Sequence, residues 1–356
     1  MKNTIRGLIG LGIIGAVFGV SVAASQGAAP KLQNPIWAYA VPPEVINPPP
    51  PRSTGPQPPP AAPDPKLYSI PGTGKSFTVA QIRGADRSAM PPGVADWFPG
   101  DHPAMPKIVA EGDPARMILP CALCHYPNGK GRPENASVSG MSVDSFVDTM
   151  HDYKAGLRNG SEPLKGNTKR MADFAKAMTD EEIRETAVYF GAIPWTQWIK
   201  VVETPTVPKV KSNAGLYQPL TGAAAGKEPI GHRIIEVPVD VEQTEVLRNP
   251  RSGFIAYVPP GSVAKGKALV TTGGGKTFAC AACHGADLKG LAFVPTIASR
   301  SPSYMARQLN DYKQGARKGK LSILMMPVVE KLTEDDMINI TAYLATIPAP
   351  SVKTGS

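Results

Sequence analysis

Apolar residues recur at helical spacing near the end of the chain. They form one stripe that a single helix face would bury: Met337, Ile340, Thr341, Leu344 and Ile347. Thr333 and Asp336 form a capping box before the stripe, and Pro348 prevents the helix from continuing after it. A preceding helix is predicted over residues 303–315. The last part of the chain is therefore predicted to be helical.

This pattern occurs twice in the chain. Residues 152–160 match residues 311–319 at an offset of 159, and both segments begin with Asp-Tyr-Lys and end with Gly. Residues 178–183 match residues 332–337 at an offset of 154, so the first copy is five residues longer somewhere after Gly160. Such self-similarity indicates an internal repeat.

The first copy carries the same helical signals as the second. A helix is predicted over residues 144–156, and another follows the capping box of Thr179 and Glu182, with Pro194 just beyond its end. The fold class is therefore mainly α. We predict two tandem domains, at residues 101–200 and 263–350.

The segment between the repeats, residues 201–262, has a different pattern. Residues 234–239 and 254–258 are short β-favouring runs separated by Pro and Gly. This pattern predicts a long, partly β connector, with a few strands packed on one of the domains.

The first residues have the pattern of an export signal. Lys2 and Arg6 precede an uncharged apolar run over residues 7–24, which contains the small-residue site Ser21-Val22-Ala23. We predict a cleaved signal peptide over residues 1–24. An uncleaved membrane anchor is the alternative, because about 18 apolar residues can just span a bilayer. Both interpretations place the remainder outside the cytoplasm, in the periplasm.

A proline-rich extension follows the export signal. Half of the residues from 42 to 65 are proline, which favours polyproline II and excludes a hydrophobic core there. The extension as a whole is assigned to residues 25–100. It is predicted to act as a semi-rigid spacer.

The four cysteines belong to two copies of one motif, Cys-x-x-Cys-His. The copies are Cys121, Cys124 and His125, then Cys280, Cys283 and His284. This is the haem c attachment signature, in which two thiols bond the haem and the histidine binds its iron. A thioredoxin-type pair would not need the histidine, and one zinc site would have to join motifs 159 residues apart. The cofactors predicted are two covalent haem c groups.

The net charge gives only a weak indication of partners. The formal charge of +9 becomes +7 without Lys2 and Arg6, and the propionates of two haems would leave about +3. No run of Lys and Arg with interleaved aromatics indicates nucleic-acid binding. An acidic protein partner fits this charge better.

The sixth ligand of each iron is expected to be methionine, whose thioether raises the reduction potential. At the offset of 154, Met325 matches Met171, whereas Met326 matches Ala172. Both methionines are expected in a loop-like stretch before the capped helix. Met171 and Met325 are therefore the predicted ligands, with Met326 as the alternative for the second haem.

Further predictions concern the groups that surround each haem. A ligating histidine normally donates its other N–H to a carbonyl, and the candidates are Pro295 in the second domain and Pro133 in the first. Arg158 and Arg317 could pair with haem propionates, although a solvated helix end is the preferred interpretation.

With these residues in hand, the chain resembles the class I cytochromes c in their tandem dihaem form, like the cytochrome c4 type. The resemblance covers residues 114–198 and 265–350, and it implies domains of three or more helices wrapped around a haem with one exposed edge. In the family the methionine lies seven residues before the Leu-Thr-x-Asp-Asp segment, which agrees with Met325.

The sequence departs from this family in three respects. The family has a short interdomain link, so the long connector leaves the usual domain packing unpredicted. The proline-rich extension is also foreign to it. Tyr126 replaces the glycine that commonly follows the haem histidine, as Gly285 does in the second repeat, which suggests a bulkier first haem pocket.

The resulting hypothesis is a periplasmic electron carrier with two His/Met haems and no catalytic residues. Its partners would be redox proteins, such as a periplasmic dehydrogenase or a terminal oxidase complex, and it would contact a membrane only if the N-terminal segment is uncleaved. The alternative is a dihaem enzyme, a peroxidase or a sulfur-compound dehydrogenase, with one open haem.

Overall fold

Helices form both of the predicted repeats. In this computed structural model, the structure describes residues 34–41, 64–83, 94–213 and 215–349. The predicted signal peptide and the proline-rich segment up to residue 63, apart from residues 34–41, lie outside the described residues. Over the ranges described, no helix is long and apolar enough to cross a bilayer.

The first repeat contains three helices of twelve residues, preceded by shorter ones. Their bounds are Lys107–Ala110, Cys121–His125, Val143–Lys154, Gly166–Ala177 and Asp180–Gly191. The Thr179 hydroxyl accepts from the amide of Glu182, whose side chain accepts in turn from the Thr179 amide. The predicted capping box is therefore confirmed.

The second repeat has the same order of helices. Their bounds are Ser262–Thr272, Ala281–His284, Pro302–Lys313, Ser322–Val329 and Glu334–Thr346. Thr333 and Asp336 form a complete capping box. The apolar stripe is buried, with Met337, Ile340, Thr341 and Leu344 at most 4% exposed and Ile347 half-buried.

Each repeat has its own hydrophobic core. The first core contains Phe146, Met150, Ile183 and Phe190, with Met171 packed against it. The second core contains the matching part of the later helices, among them Met305, Leu332, Met337 and Ile340. The repeat predicted from the sequence therefore corresponds to two cores.

The connector folds around a three-stranded sheet. The central strand Phe254–Val258 pairs in parallel with Ile199–Glu203 and antiparallel with Ile235–Pro238. Three two-stranded antiparallel pairs complete the β structure of the described residues: Leu67–Ser69 with Ser76–Thr78, Thr206–Pro208 with Lys227–Pro229, and Val210–Asn213 with Leu216–Pro219.

The sheet packs between the repeats. One core cluster joins its strand residues Phe254 and Ala256 to Trp195 of the first repeat and to Ala306 and Ile338 of the second. Alternate residues of the central strand, at 254, 256 and 258, are fully buried in this cluster. The prediction that the strands pack on one domain is therefore wrong, because the sheet buries apolar surface from both.

The two repeats also contact each other directly. Arg158 and Arg317, which match at the offset of 159, form an antiparallel β-bridge. The Asn159 amide donates to Ala316 O at 2.9 Å, and the Lys318 amide donates to Leu157 O at 2.6 Å. Equivalent segments thus pair with each other, as in the isologous contact of a two-fold dimer.

A short N-terminal segment, residues 34–41, lies against both repeats. The Trp37 indole donates to Glu334, and the Tyr39 hydroxyl is 2.8 Å from Ser161 Oγ. Arg307 of the second repeat donates to Ala38 O at 2.6 Å. Part of the predicted extension is therefore an ordered piece of the domain interface.

Candidate haem-binding sites

A short helix presents each Cys-x-x-Cys-His motif. In both repeats the chain turns sharply after the histidine, with φ of +63° at Tyr126 and +84° at Gly285 and ψ of 156° at each. Glycine adopts this backbone freely, whereas a tyrosine is strained by roughly 1–2 kcal/mol. The two attachment loops therefore share one backbone geometry despite different residues at the turn.

Each motif histidine is held by a backbone carbonyl eleven residues further along. His125 Nδ1 lies 2.8 Å from Ala136 O, and His284 Nδ1 lies 2.7 Å from Pro295 O. A carbonyl only accepts, so Nδ1 carries the proton and the Nε2 lone pair is available for a metal. Burial lowers the pKa of both histidines, which favours the neutral imidazole that binds metal.

The predicted carbonyl partners have different outcomes. Pro295 is confirmed as the acceptor for His284. Pro133 is wrong, because its carbonyl accepts from Arg307 at 2.6 Å and Ala136 holds His125 instead. The offset of 159 that relates the motifs also relates Ala136 to Pro295, and it would have found the acceptor without requiring a proline.

Each predicted methionine ligand packs against the same core as the first cysteine of its motif. Met171 and Cys121 pack against the first core, and Met325 and Cys280 pack against the second. Both methionines are half-buried, whereas Met326 is 52% exposed. The expectation of a loop is wrong: Met171 lies in helix Gly166–Ala177 and Met325 in helix Ser322–Val329.

The donor set of each site fits a covalent haem c. Each site offers two thiols on one helical turn and an imidazole with a free Nε2. Burial raises the pKa of Cys121 to about 12 and that of Cys280 to about 11, so both thiols are protonated at neutral pH. Exposed large apolar side chains lie close in sequence to the second motif, at Phe278, Leu291 and Phe293, and directly before Met325, at Ile323 and Leu324.

Two guanidinium groups meet where the repeats touch. Arg158 Nη2 donates to Gln308 Oε1 at 3.1 Å and Arg317 Nη1 to the same oxygen at 3.3 Å. Arg317 also stacks on the Tyr312 ring at 4.0 Å. The interpretation as solvated helix ends is therefore wrong. Neither arginine forms a salt bridge within the described ranges.

Tyr126 packs in the connector core. Its ring lies 6.2 Å from the Trp198 ring in an edge-to-face arrangement. The guanidinium of Arg248 lies 5.6 Å from the centre of the same ring. Tyr126 thus belongs to a different cluster from the core that holds Met171, and the bulkier first haem pocket stays a prediction.

Sequence reasoning missed the contacts that cover the first motif. Arg248 donates to Leu123 O, and Asn128 Nδ2 donates to Pro250 O at 3.1 Å. Arg132 forms ion pairs at 2.7 Å with Glu134 and with Glu245. Except for Arg132 and Glu134, the partners are separated by more than 100 residues in the chain. No local sequence pattern therefore indicates these contacts.

Comparison with known proteins supports the site chemistry. The cytochrome c family profile matches residues 263–348. Cytochrome c-554(548) of Halomonas halodenitrificans is 36% identical over 72 residues, which are 20% of this chain and 87% of that protein. Cytochrome c4 of Pseudomonas aeruginosa is 30% identical over 228 residues, which are 63% of this chain and 82% of that protein.

One further relative and one solved structure match this chain over different shares of their own lengths. The thiosulfate dehydrogenase electron acceptor of Stutzerimonas stutzeri is 36% identical over 91 residues, which are 24% of this chain and only 41% of that relative. The crystal structure of reduced cytochrome c4 from Pseudomonas stutzeri has a TM-score of 0.41 and 18% identity, covering 64% of this chain and 93% of that one.

Two of these three curated relatives are named as cytochromes, and the alignment with the Pseudomonas aeruginosa cytochrome c4 spans 63% of this chain. Their similarity, together with the motif pair and the mainly α fold, identifies the cofactor as covalent haem c and the general role as electron transfer. The chain belongs to the class I c-type cytochromes and is of the tandem, cytochrome c4-like form.

Proposed function

We propose that this chain is a dihaem electron carrier of the periplasm with both irons closed by histidine and methionine. Cys121 and Cys124 would bond the first haem, and His125 and Met171 would be its axial ligands. In the second domain the corresponding residues are Cys280, Cys283, His284 and Met325. The proposed domains are residues 101–200 and 263–350.

The observation that carries this proposal is the repeated arrangement around each histidine. In both repeats a carbonyl fixes Nδ1, and a half-buried methionine packs on the core that contacts the first motif cysteine. A bound haem c supplies one-electron oxidation and reduction at its iron. The protein's part is to orient each imidazole and to exclude water with the surrounding apolar core.

The arrangement favours Met325 over Met326 in the second domain. Neighbouring residues on a helix point about 100° apart, so only one of the two can face the core. Met325 packs against the core that includes Cys280, whereas Met326 is exposed. A thioether ligand favours the reduced iron, which suits a carrier of single electrons.

The proposed carrier works between other redox proteins. One relative is named for accepting electrons from a thiosulfate dehydrogenase, so a periplasmic dehydrogenase is the donor class we propose. The acceptor would be a downstream carrier or a terminal oxidase. A dihaem enzyme would need an open iron, and no cysteine outside the two motifs is present to serve as an unusual ligand.

The test is spectroscopic and uses the mature protein made with haem-maturation machinery. We expect the oxidised protein to show the sulfur-to-iron charge-transfer band at the intensity of two haems, and the reduced protein to bind no carbon monoxide. Half the band intensity, with one haem binding carbon monoxide, would contradict the carrier and support an enzyme with an open iron.

A further inference from the structure

The connector covers the first attachment loop. The segment 242–251 contacts the loop through Glu245 with Arg132, Arg248 with Leu123 O, and the Pro250 carbonyl with Asn128. The Arg248 guanidinium also lies against the Tyr126 ring. These contacts come from side chains and backbone of one continuous segment, so they form a cover rather than a single bridge.

The cover is itself anchored to residues at the end of the extension and at the start of the first domain. Trp97 is 1% exposed, and its indole donates to Leu247 O at 2.7 Å. Arg251 pairs with Asp101 at 2.6 Å and stacks on the Phe98 ring at 3.9 Å. The connector segment that covers the first loop is therefore held on two sides, by these residues and by the loop itself.

The second domain covers another part of the same region. Arg300 donates to Ser137 O at 3.3 Å and to Ser139 O at 3.2 Å, and it stacks on the Trp195 ring at 4.0 Å. Arg307 donates to Pro133 O. The stretch from the first motif to residue 139 is thus enclosed by both the connector and the second domain.

The aligned loop of the second domain has no such cover. None of the twelve residues 121–132 is exposed. Of the twelve residues 280–291 at the same positions of the repeat, six are exposed: Ala281, Ala282, Cys283, Ala286, Asp287 and Leu291. A protein partner can therefore approach the second attachment loop but meets the connector at the first.

The net charges of the two domains also favour docking on the second domain. Residues 263–350 contain 11 Lys and Arg against 6 Asp and Glu, a net charge of +5. Residues 101–200 contain 12 against 13, a net charge of −1. Long-range attraction therefore steers an acidic protein toward the second domain and not toward the first.

We propose that the second domain is the docking face for an acidic redox protein, and that the connector closes the first haem domain to protein partners. The inference rests on the proposed carrier function. Electrons of the first haem then exchange with a partner by way of the second. Lys320 and Lys331, which are exposed on either side of helix Ser322–Val329, belong to the docking face.

The experiment compares two charge reversals in the full, haem-loaded protein. The first variant is Lys320→Glu/Lys331→Glu. The matched control is Lys169→Glu/Lys176→Glu, which changes the same charge on exposed lysines of helix Gly166–Ala177 in the first domain. The probe is the hydroquinone of an acidic flavodoxin, and the measurement is the second-order rate constant for reduction at low ionic strength.

We expect the second-domain reversal to lower this rate constant about tenfold and the first-domain reversal to change it by less than about twofold. The difference should shrink at high salt, where charges are screened. An equal loss in both variants, or a larger loss in the first-domain variant, would show that docking does not favour the second domain and would overturn the proposal, and so would no loss in either. The charge-transfer band and carbon monoxide test on the same samples separates these outcomes from failure of the carrier function.

Discussion

The two repeats differ in the short segment that follows Gly160 and Gly319. In the first repeat five residues, 161–165, separate that glycine from the next helix, and in the second only residues 320–321 do. The longer segment makes domain contacts: the Ser161 amide and hydroxyl both donate to Asp311 of the second repeat, at 2.8 and 2.7 Å.

The repeats differ again at the turn after the haem histidine. Gly285 adopts a positive φ without strain, whereas Tyr126 accepts the strain and places its ring in the connector core. The first repeat thus has residues that attach it to its surroundings, and the second has a more open form. A shared motif therefore fixes the haem geometry, while departures from the repeat determine what covers it.

The largest expected effect comes from removing a proposed iron ligand. Met171→Ala and Met325→Ala should each remove one haem's share of the charge-transfer band. Each should lower that haem's potential by on the order of 0.1 V or more, because axial ligands set potentials over a range of about 0.8 V. Spectroelectrochemical titration of the purified variants measures both.

Met326→Ala is the matched control for the second domain. Its side chain is exposed, so the band and both potentials should stay as they are. If Met326→Ala removed the band and Met325→Ala did not, the ligand of the second domain would be one residue out of register with that of the first.

The next effect concerns Lys165, in the longer segment of the first repeat. Its ammonium group is buried and donates to Tyr39 O at 3.4 Å. Burial, followed by repulsion from Arg307 and opposed by Glu134, lowers the pKa of Lys165 to about 7. The unfolded chain has a lysine pKa of about 10.4, so between about pH 7 and 10 the unfolded state binds more protons.

Stability should therefore rise with pH in that window, by up to about 1.4 kcal/mol per pH unit from this group. Lys165→Met should remove this component of the rise and stabilise the protein at pH 7. Denaturant unfolding at pH 7, 8 and 9 measures the slope of the free energy of unfolding. Equal slopes for the variant and the parent protein would show that Lys165 stays charged in the folded state.

A smaller effect is expected at Tyr126. Deleting a fully buried aromatic ring costs about 3–5 kcal/mol, and relief of the positive φ returns about 1–2 kcal/mol. Tyr126→Gly should thus lower the free energy of unfolding by about 2 kcal/mol. Chemical denaturation monitored by far-UV circular dichroism provides the value.

Tyr126→Phe provides the control for Tyr126→Gly. The Tyr126 hydroxyl is buried without a hydrogen-bond partner among the residues described, so its removal should cost nothing. Gly285→Ala tests the second repeat, where a Cβ would approach Gly290 O to 3.0 Å at a positive φ. A gain in stability from Tyr126→Gly would mean that strain at this turn outweighs the packing of the ring.

The sequence was sufficient for features that are local or repeated. The attachment helices follow from contiguous motifs, and the capped helices follow from Thr179 and Thr333 with their acidic partners three residues on. The acceptor Pro295 was predictable because a carbonyl is the usual partner of a ligating histidine. Ala136 was missed because only its position in the repeat, and not its residue type, marks it.

Contacts between the repeats were not predictable in this way. Arg158 and Arg317 each lie after a helix with ordinary surface composition, and only folding brings the equivalent positions together. Arg248 similarly acquires its role from Leu123, 125 residues away. Pairings of this kind depend on domain packing, which the long connector determines and no local spacing reveals.

The smallest effect concerns the outer attachment of the connector, at Arg251 and Asp101. Arg251 makes a bidentate contact with Asp101, at 2.9 and 2.6 Å, and its hydrogen bond to that carboxylate is the main cause of the lowered pKa of Asp101. Both side chains are partly exposed, so solvent screens the pair and its worth is about 1 kcal/mol or less. The lowered pKa makes this contribution present above about pH 4 and lost as the carboxylate protonates at lower pH.

Arg251→Ala should therefore change global stability by less than about 1 kcal/mol while loosening the connector locally. Hydrogen exchange should become faster for the amides of residues 244–252 and stay unchanged for residues 280–291, since the second attachment loop has no such cover. A double-mutant cycle with Asp101→Ala isolates the pair from the stacking of Arg251 on Phe98. If exchange accelerated equally at both loops, Arg251 would act on the whole molecule, and the contrast between a covered and an open haem domain would not originate at this attachment.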